Sequence, residues 1–136
     1  MNTRTDTTML IGRVLISVIF ILGGWGKLIA PAATQAAFAR EGAPLVALAY
    51  PVAVAIELGG GLALLLGLFT RPVGAALGLW CIATALVAHT NFSDRNMEIH
   101  FLKNLAMAGG LAYVAAFGAG AISLDAALRR RRIAAR

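Results

Sequence analysis

Four long apolar runs divide the chain: Met9 to Ala30, Leu45 to Phe69, Pro72 to His89 and Ile99 to Ala121. Each is roughly 18–25 residues, the length that carries a helix across about 30 Å of hydrocarbon. Hydrophobicity within them is continuous, without the period-two alternation of a membrane barrel strand. Lipid offers no partner to an unpaired backbone group, so helices are the natural solution. The pattern predicts an all-α fold: an integral membrane four-helix bundle forming a single domain over residues 1–136, with a basic tail at 122–136.

The breaks between the runs carry turn chemistry. "APAATQAAFAREGAP" reads as a loop punctuated by Pro31, Gly42 and Pro44. "TRP" (Thr70 to Pro72) is so short that it forces an antiparallel hairpin, with Pro72 suited to a first helical position. "TNFSDRNME" separates the third and fourth runs.

Composition agrees with the pattern. Of 136 residues, 60% are hydrophobic and 13% charged, against about a quarter charged in ordinary soluble domains. The net charge of +6 raises nucleic acid as a partner, but its distribution argues for a membrane. In a four-span reading Arg4, Arg13, Arg71, Arg129, Arg130, Arg131, Arg132 and Arg136 share one side, leaving Arg40 and Arg95 on the other. The positive-inside rule then puts both termini in the cytoplasm. In the tail "LRRRRIAAR", Arg129, Arg130, Arg131 and Arg132 read as contacts to anionic lipid headgroups, not to nucleic acid. Arg4, the first apolar run and "APAA" resemble a cleavable leader. Lys27 interrupts the cleavage region and the run is long, so we read it as a retained span. Cys81 is the only cysteine, which rules out an intrachain disulfide.

Helices in lipid associate through close backbone approach. The 15 glycines supply it, with Gly23, Gly59, Gly60, Gly74 and Gly78 as the expected packing positions. "GAGAISLDAALRRRR" closes the fourth run, with Ser123 as an N-cap and Asp125 in the first turn of a short interfacial helix. Its apolar side would be Ile122, Leu124, Leu128 and Ile133.

Five polar side chains lie within the runs: Lys27, Glu57, His100, Lys103 and Asn104, with His89 at a boundary. An ionisable group in a span costs about 2.5–3.5 kcal/mol on insertion scales, so it should face inward and have a partner. Glu57 lies 12 residues beyond Leu45, about 18 Å along a helix and close to mid-membrane. His100, Lys103 and Asn104 share a helix face. A Glu57–Lys103 pair is reasonable, with Lys27 as competitor or third member. Such a network either fixes helix register or binds a small molecule and moves a proton. Two histidines without a carboxylate at ligand spacing give no metal site.

At these residues the chain resembles the DoxX family of small bacterial inner-membrane proteins. The matching stretches are "GRVLISVIFILGGWGKL", "AIELGGGLALLLGLFTRP", "FLKNLAMAGGLAYV" and "GAGAISLD", in order and over nearly the whole chain. The resemblance implies a four-helix membrane bundle linked to redox chemistry. Some relatives belong to a thiosulfate:quinone oxidoreductase of archaea. Others look like anchors that gather soluble thiol and oxidant-detoxifying enzymes. Three functions follow: an accessory or anchoring subunit of a redox-linked membrane complex, a quinone-linked oxidoreductase subunit, or a small-solute transporter. Whether the chain is itself an enzyme stays open. No intrinsic cofactor is evident in the sequence; quinone is the one this reading admits. The expected partners are the lipid bilayer and other membrane subunits or further copies of the chain.

Overall fold

A computed structural model describes residues 3–136, and every described element is a helix or a turn. Helix α1 is Thr3–Ile29 and α2 is Pro31–Arg40. Helix α3 runs over Val46–Leu66 and contains a π-helical turn at Ala55–Gly59. Then come α4 (Thr70–Ala88), α5 (Arg95–Phe117) and α6 (Leu124–Ala134).

Among the described residues, three helices are long and apolar enough to cross a membrane: α1, α3 and α4. The fourth expected span falls short of that standard although α5 is 23 residues long. His100, Lys103 and Asn104 dilute its apolar stretch. It also ends at Phe117, because Gly118 adopts φ +80°, so Ile99 to Ala121 is not one helix.

The segment expected to be a loop between the first two runs is largely helical. Pro31 occupies the first turn of α2, where its missing N–H costs nothing, and alanines favour the helix behind it. Gly42, at φ +75°, stops α2: Ala43 N–H donates to Phe38 O at 2.9 Å and Gly42 N–H to Ala39 O at 3.3 Å. This is a Schellman closure. The same device ends α3 at Gly67, and the hairpin turn is Gly67–Phe69, earlier than the expected "TRP".

Glycines set which helices meet. A Cβ on Gly24 would lie 2.5 Å from Leu58 N, and one on Gly61 would lie 3.0 Å from Ile21 N. Helix α1 therefore crosses α3 with backbones nearly in contact. Gly74 of α4 faces Ala115 N of α5 at 3.1 Å by the same measure, Gly78 faces Leu111 Cβ at 3.5 Å, and Gly60 faces Leu77 at 3.1 Å. Gly59, expected at a packing surface, has nothing within 4 Å, because the π turn points it outward. Phe20, Leu64, Leu77, Cys81 and Leu111 form the buried core where α1, α3, α4 and α5 converge. Leu15, Leu22, Leu79 and Tyr113 point outward and are each more than 60% exposed. A soluble protein avoids such a continuous apolar coat; in hydrocarbon it is the favourable surface.

Candidate functional site

The π turn of α3 holds Glu57. A π turn inserts one residue into the helical register and rotates the side chains beside it. Pro51, one turn earlier, has already removed a backbone donor from the ladder. Glu57 thereby points into the protein, with its side chain 11% exposed. Its Oε2 accepts from Lys27 Nζ at 2.7 Å and its Oε1 accepts from Trp80 Nε1 at 3.0 Å. Gly23 makes room for this carboxylate, since a Cβ there would stand 2.9 Å from Oε2. Tyr50 Oη donates to Lys27 O at 3.3 Å and ties α3 to the end of α1.

The expected Glu57–Lys103 pair does not form. Helix α1 packs on the π turn, whereas α5 packs chiefly on α4. Lys27 is therefore the nearer cation, and Lys103 Nζ sits instead 2.9 Å from His100 Nδ1. Asn104 is buried and its Nδ2 donates to His100 O at 2.9 Å. The His89 and His100 rings lie 5.2 Å apart. His89 follows the last turn of α4, and its Nδ1 is buried without a hydrogen-bond partner.

The two groups face one another across a cavity of about 210 Å³ that Lys27, Glu57, Trp80, His89, Lys103 and Asn104 all line. A second cavity of about 420 Å³ extends it beneath α2, sharing Lys27, Glu57, Trp80, Thr84 and His89. Of the five expected network residues, Lys27, Glu57, Lys103 and Asn104 thus border one space, and His100 supports it from behind. The sequence reasoning missed Trp80. A tryptophan in the middle of a span, away from the interfacial belt such residues prefer, was the available signal.

The opposite end of the molecule is also polar, and Arg13 borders a mainly apolar cavity of about 280 Å³ there with Met9, Ile16, Tyr113 and Phe117. Arg13, read from sequence as a topology charge, is 1% exposed. Its Nη1 donates to Leu64 O and Leu65 O, both at 3.0 Å, and its Nη2 to Ile122 O at 2.6 Å. It caps the C-terminus of α3, where a cation also complements the helix dipole. Ser123 N-caps α6, accepting from Ala126 N–H at 3.2 Å. Asp125 does more than sit in that first turn. It reaches the start of α4 and accepts from Phe69 N–H at 2.8 Å and Thr70 N–H at 2.9 Å. Burial pushes the Asp125 carboxyl up, but these hydrogen bonds and the Arg13 charge outweigh it and hold the pKa below the usual value. Asp6 Oδ1 accepts from Ala121 N–H at 2.8 Å. Arg129, Arg130, Arg131 and Arg132 are exposed on α6, as are Ile122, Leu124, Leu128 and Ile133.

The helices, their apolar coat and the buried ionisable residues define a multi-pass inner-membrane protein. Similarity carries this further. A DoxX family model matches residues 8–90, from α1 to just beyond His89. Inner membrane protein YqjF of Escherichia coli (strain K12) is 35% identical over 131 residues, covering 96% of this chain and 99% of YqjF. Inner membrane protein YphA of the same organism is 35% identical over 123 residues, covering 86% and 87%. The chain belongs to the DoxX family. No solved structure matches it.

Proposed function

We propose that this protein is an accessory, anchoring subunit of a redox-linked complex, and that its intramembrane cavity holds the headgroup of a quinone. The observation that carries the reading is the cavity itself: Glu57 and Lys27 on one wall, Lys103, Asn104 and the unpartnered His89 Nδ1 on the other. Register alone would be served by the Lys27–Glu57 pair and needs neither an open space nor an orphaned ring nitrogen. The residues fit the group. Lys103 and Asn104 can donate to one carbonyl oxygen and Lys27 to another, and Trp80 offers a flat apolar wall. A quinone, when bound, takes up two electrons and two protons. Glu57 is the carboxylate beside it placed to pass a proton, and Trp80 and Gly23 keep that carboxylate in position.

The same proposal has four spans and both termini cytoplasmic. Helix α5 packs on α4 at Gly74, at Gly78 and through the His89–His100 rings, which supports reading it as the fourth span. Arg13, Asp6, Arg71 and the α6 arginines gather at one end. The anchoring role draws on the outer groove between α4 and α5, floored by Gly74, Gly78, Ala108 and Ala112, a shape that accepts another transmembrane helix.

Purification from native membranes in mild detergent, with solvent extraction and mass spectrometry, tests both halves. The expected result is a stoichiometric protein partner and bound quinone. A chain recovered alone and quinone-free contradicts the proposal.

A further inference from the structure

We infer that the occupant of the Glu57 chamber is a lipid-soluble amphiphile, whose apolar chain leaves sideways into the bilayer through a groove between α2 and α4. This rests on the proposed reading of the chamber as a ligand site and narrows it, since a small water-soluble anion would need no such exit.

Three cavities meet at Trp80 and Thr84. Two are the polar chambers already described. The third, about 240 Å³, is walled by Phe38, Pro44, Ala49, Ala83 and Val87. Polar and apolar spaces thus share the walls formed by Trp80 and Thr84. Trp80 marks the join: its indole N–H is held by Glu57 while its ring also lines the groove. Thr84 presents no free hydroxyl proton there, because its Oγ1 donates to Trp80 O at 2.8 Å.

Two small-residue choices keep the passage open. Ala33 and Ala37, one turn apart on α2, line the larger chamber with methyl groups only. Ala83 and Val87, one turn apart on α4, are exposed and floor the groove on the lipid side. Larger residues on either pair would close it. Glu41 lines both the groove and the larger chamber, at the end where α2 stops. The site is therefore built in sequence for a headgroup that meets Lys27, Glu57 and Lys103 and a chain that meets chiefly apolar side chains, with Glu41 at the edge of the groove.

The test uses the full chain in phosphatidylcholine nanodiscs with Trp25→Phe, which leaves Trp80 as the sole tryptophan. Trp80 fluorescence is titrated with decylubiquinone and with the corresponding chainless benzoquinone. Saturable quenching by both probes is expected. Ala83→Phe should weaken the decyl probe about tenfold and leave the chainless probe within about twofold. Because Ala83 is exposed, the substitution adds bulk to the groove and not to the core. Unchanged decyl binding, or equal weakening of both probes, overturns the exit groove while the headgroup reading stands. Absence of quenching by either probe overturns the headgroup reading itself. A Trp80→Phe protein reports from Trp25, which is 53% exposed on the outer surface. If Trp25 shows the same saturation curve, the quenching comes from the lipid phase and both readings fall.

Discussion

Both ends of this molecule bury charge, and they do so in opposite ways. At the end carrying the termini, Arg13, Asp6 and Asp125 spend their hydrogen bonds on backbone groups at helix ends. Arg13 Nε is left without a hydrogen-bond partner, and each contact staples one element to another. At the other end, Glu57 accepts from both Lys27 and Trp80, and a cavity opens beside them. Charge satisfied by the backbone fixes a fold; charge satisfied by other side chains around a space can be rearranged by what enters that space.

Substitutions can break or sharpen this contrast. Arg13→Met should give the largest loss of stability. It withdraws the donor from Leu65 O and Ile122 O, and one of two donors from Leu64 O, which keeps Gly67 N–H, at about 1–3 kcal/mol for each group left unpaired. Thermal unfolding in detergent should show a loss of at least about 3 kcal/mol, with the Trp80 environment of the surviving folded protein unchanged. Gly24→Ala comes next, because the new methyl would press on Leu58 N. The same assay should read about 1–3 kcal/mol, the usual cost of overpacking.

Asp125→Ala should cost about 1–2 kcal/mol as the loss of an N-cap. Its pH dependence has a definite sign. The folded carboxyl titrates below its ordinary value of 3.8, so its stabilisation is present above that pH and is lost as pH falls through the folded value. Wild type should lose stability below about pH 4, and Asp125→Asn should flatten that part of the profile. A profile unchanged by the substitution would remove Asp125 from the capping role.

Much of this architecture was legible in the sequence, and the failures have physical causes. Apolar run length located α1, α3 and α4 because the bilayer imposes a length on any span. It misread residues 31–40 as loop because Pro31 and Gly42 mark the ends of a helix as readily as the ends of a turn. Lys27 and Glu57 were recognisable as buried ionisable residues, but their pairing was not. Which cation lies nearest depends on the α1–α3 crossing at Gly24 and Gly61, a contact between distant parts of the chain. Arg13 was missed through position alone, since its place near the start of a run looked like an ordinary flanking charge. The insertion-cost argument applied to Lys27 applies equally to Arg13. Asp125 was seen at the start of its own helix, yet its principal partners lie 55 and 56 residues away.

Glu57→Gln separates the two ends most directly. The amide keeps the size of the side chain and an oxygen that can still accept from Trp80 or Lys27. Thermal unfolding should therefore shift by no more than about 1 kcal/mol, the smallest stability change in the series. Quinone recovered per mole of purified protein is the decisive measurement. The expected result is quinone bound to the wild type and to Asp125→Asn, and lost from Glu57→Gln, whose single oxygen cannot hold both Lys27 and Trp80 at the cavity wall. Equal quinone in all three proteins would contradict the assignment of the Glu57 cavity as the functional end.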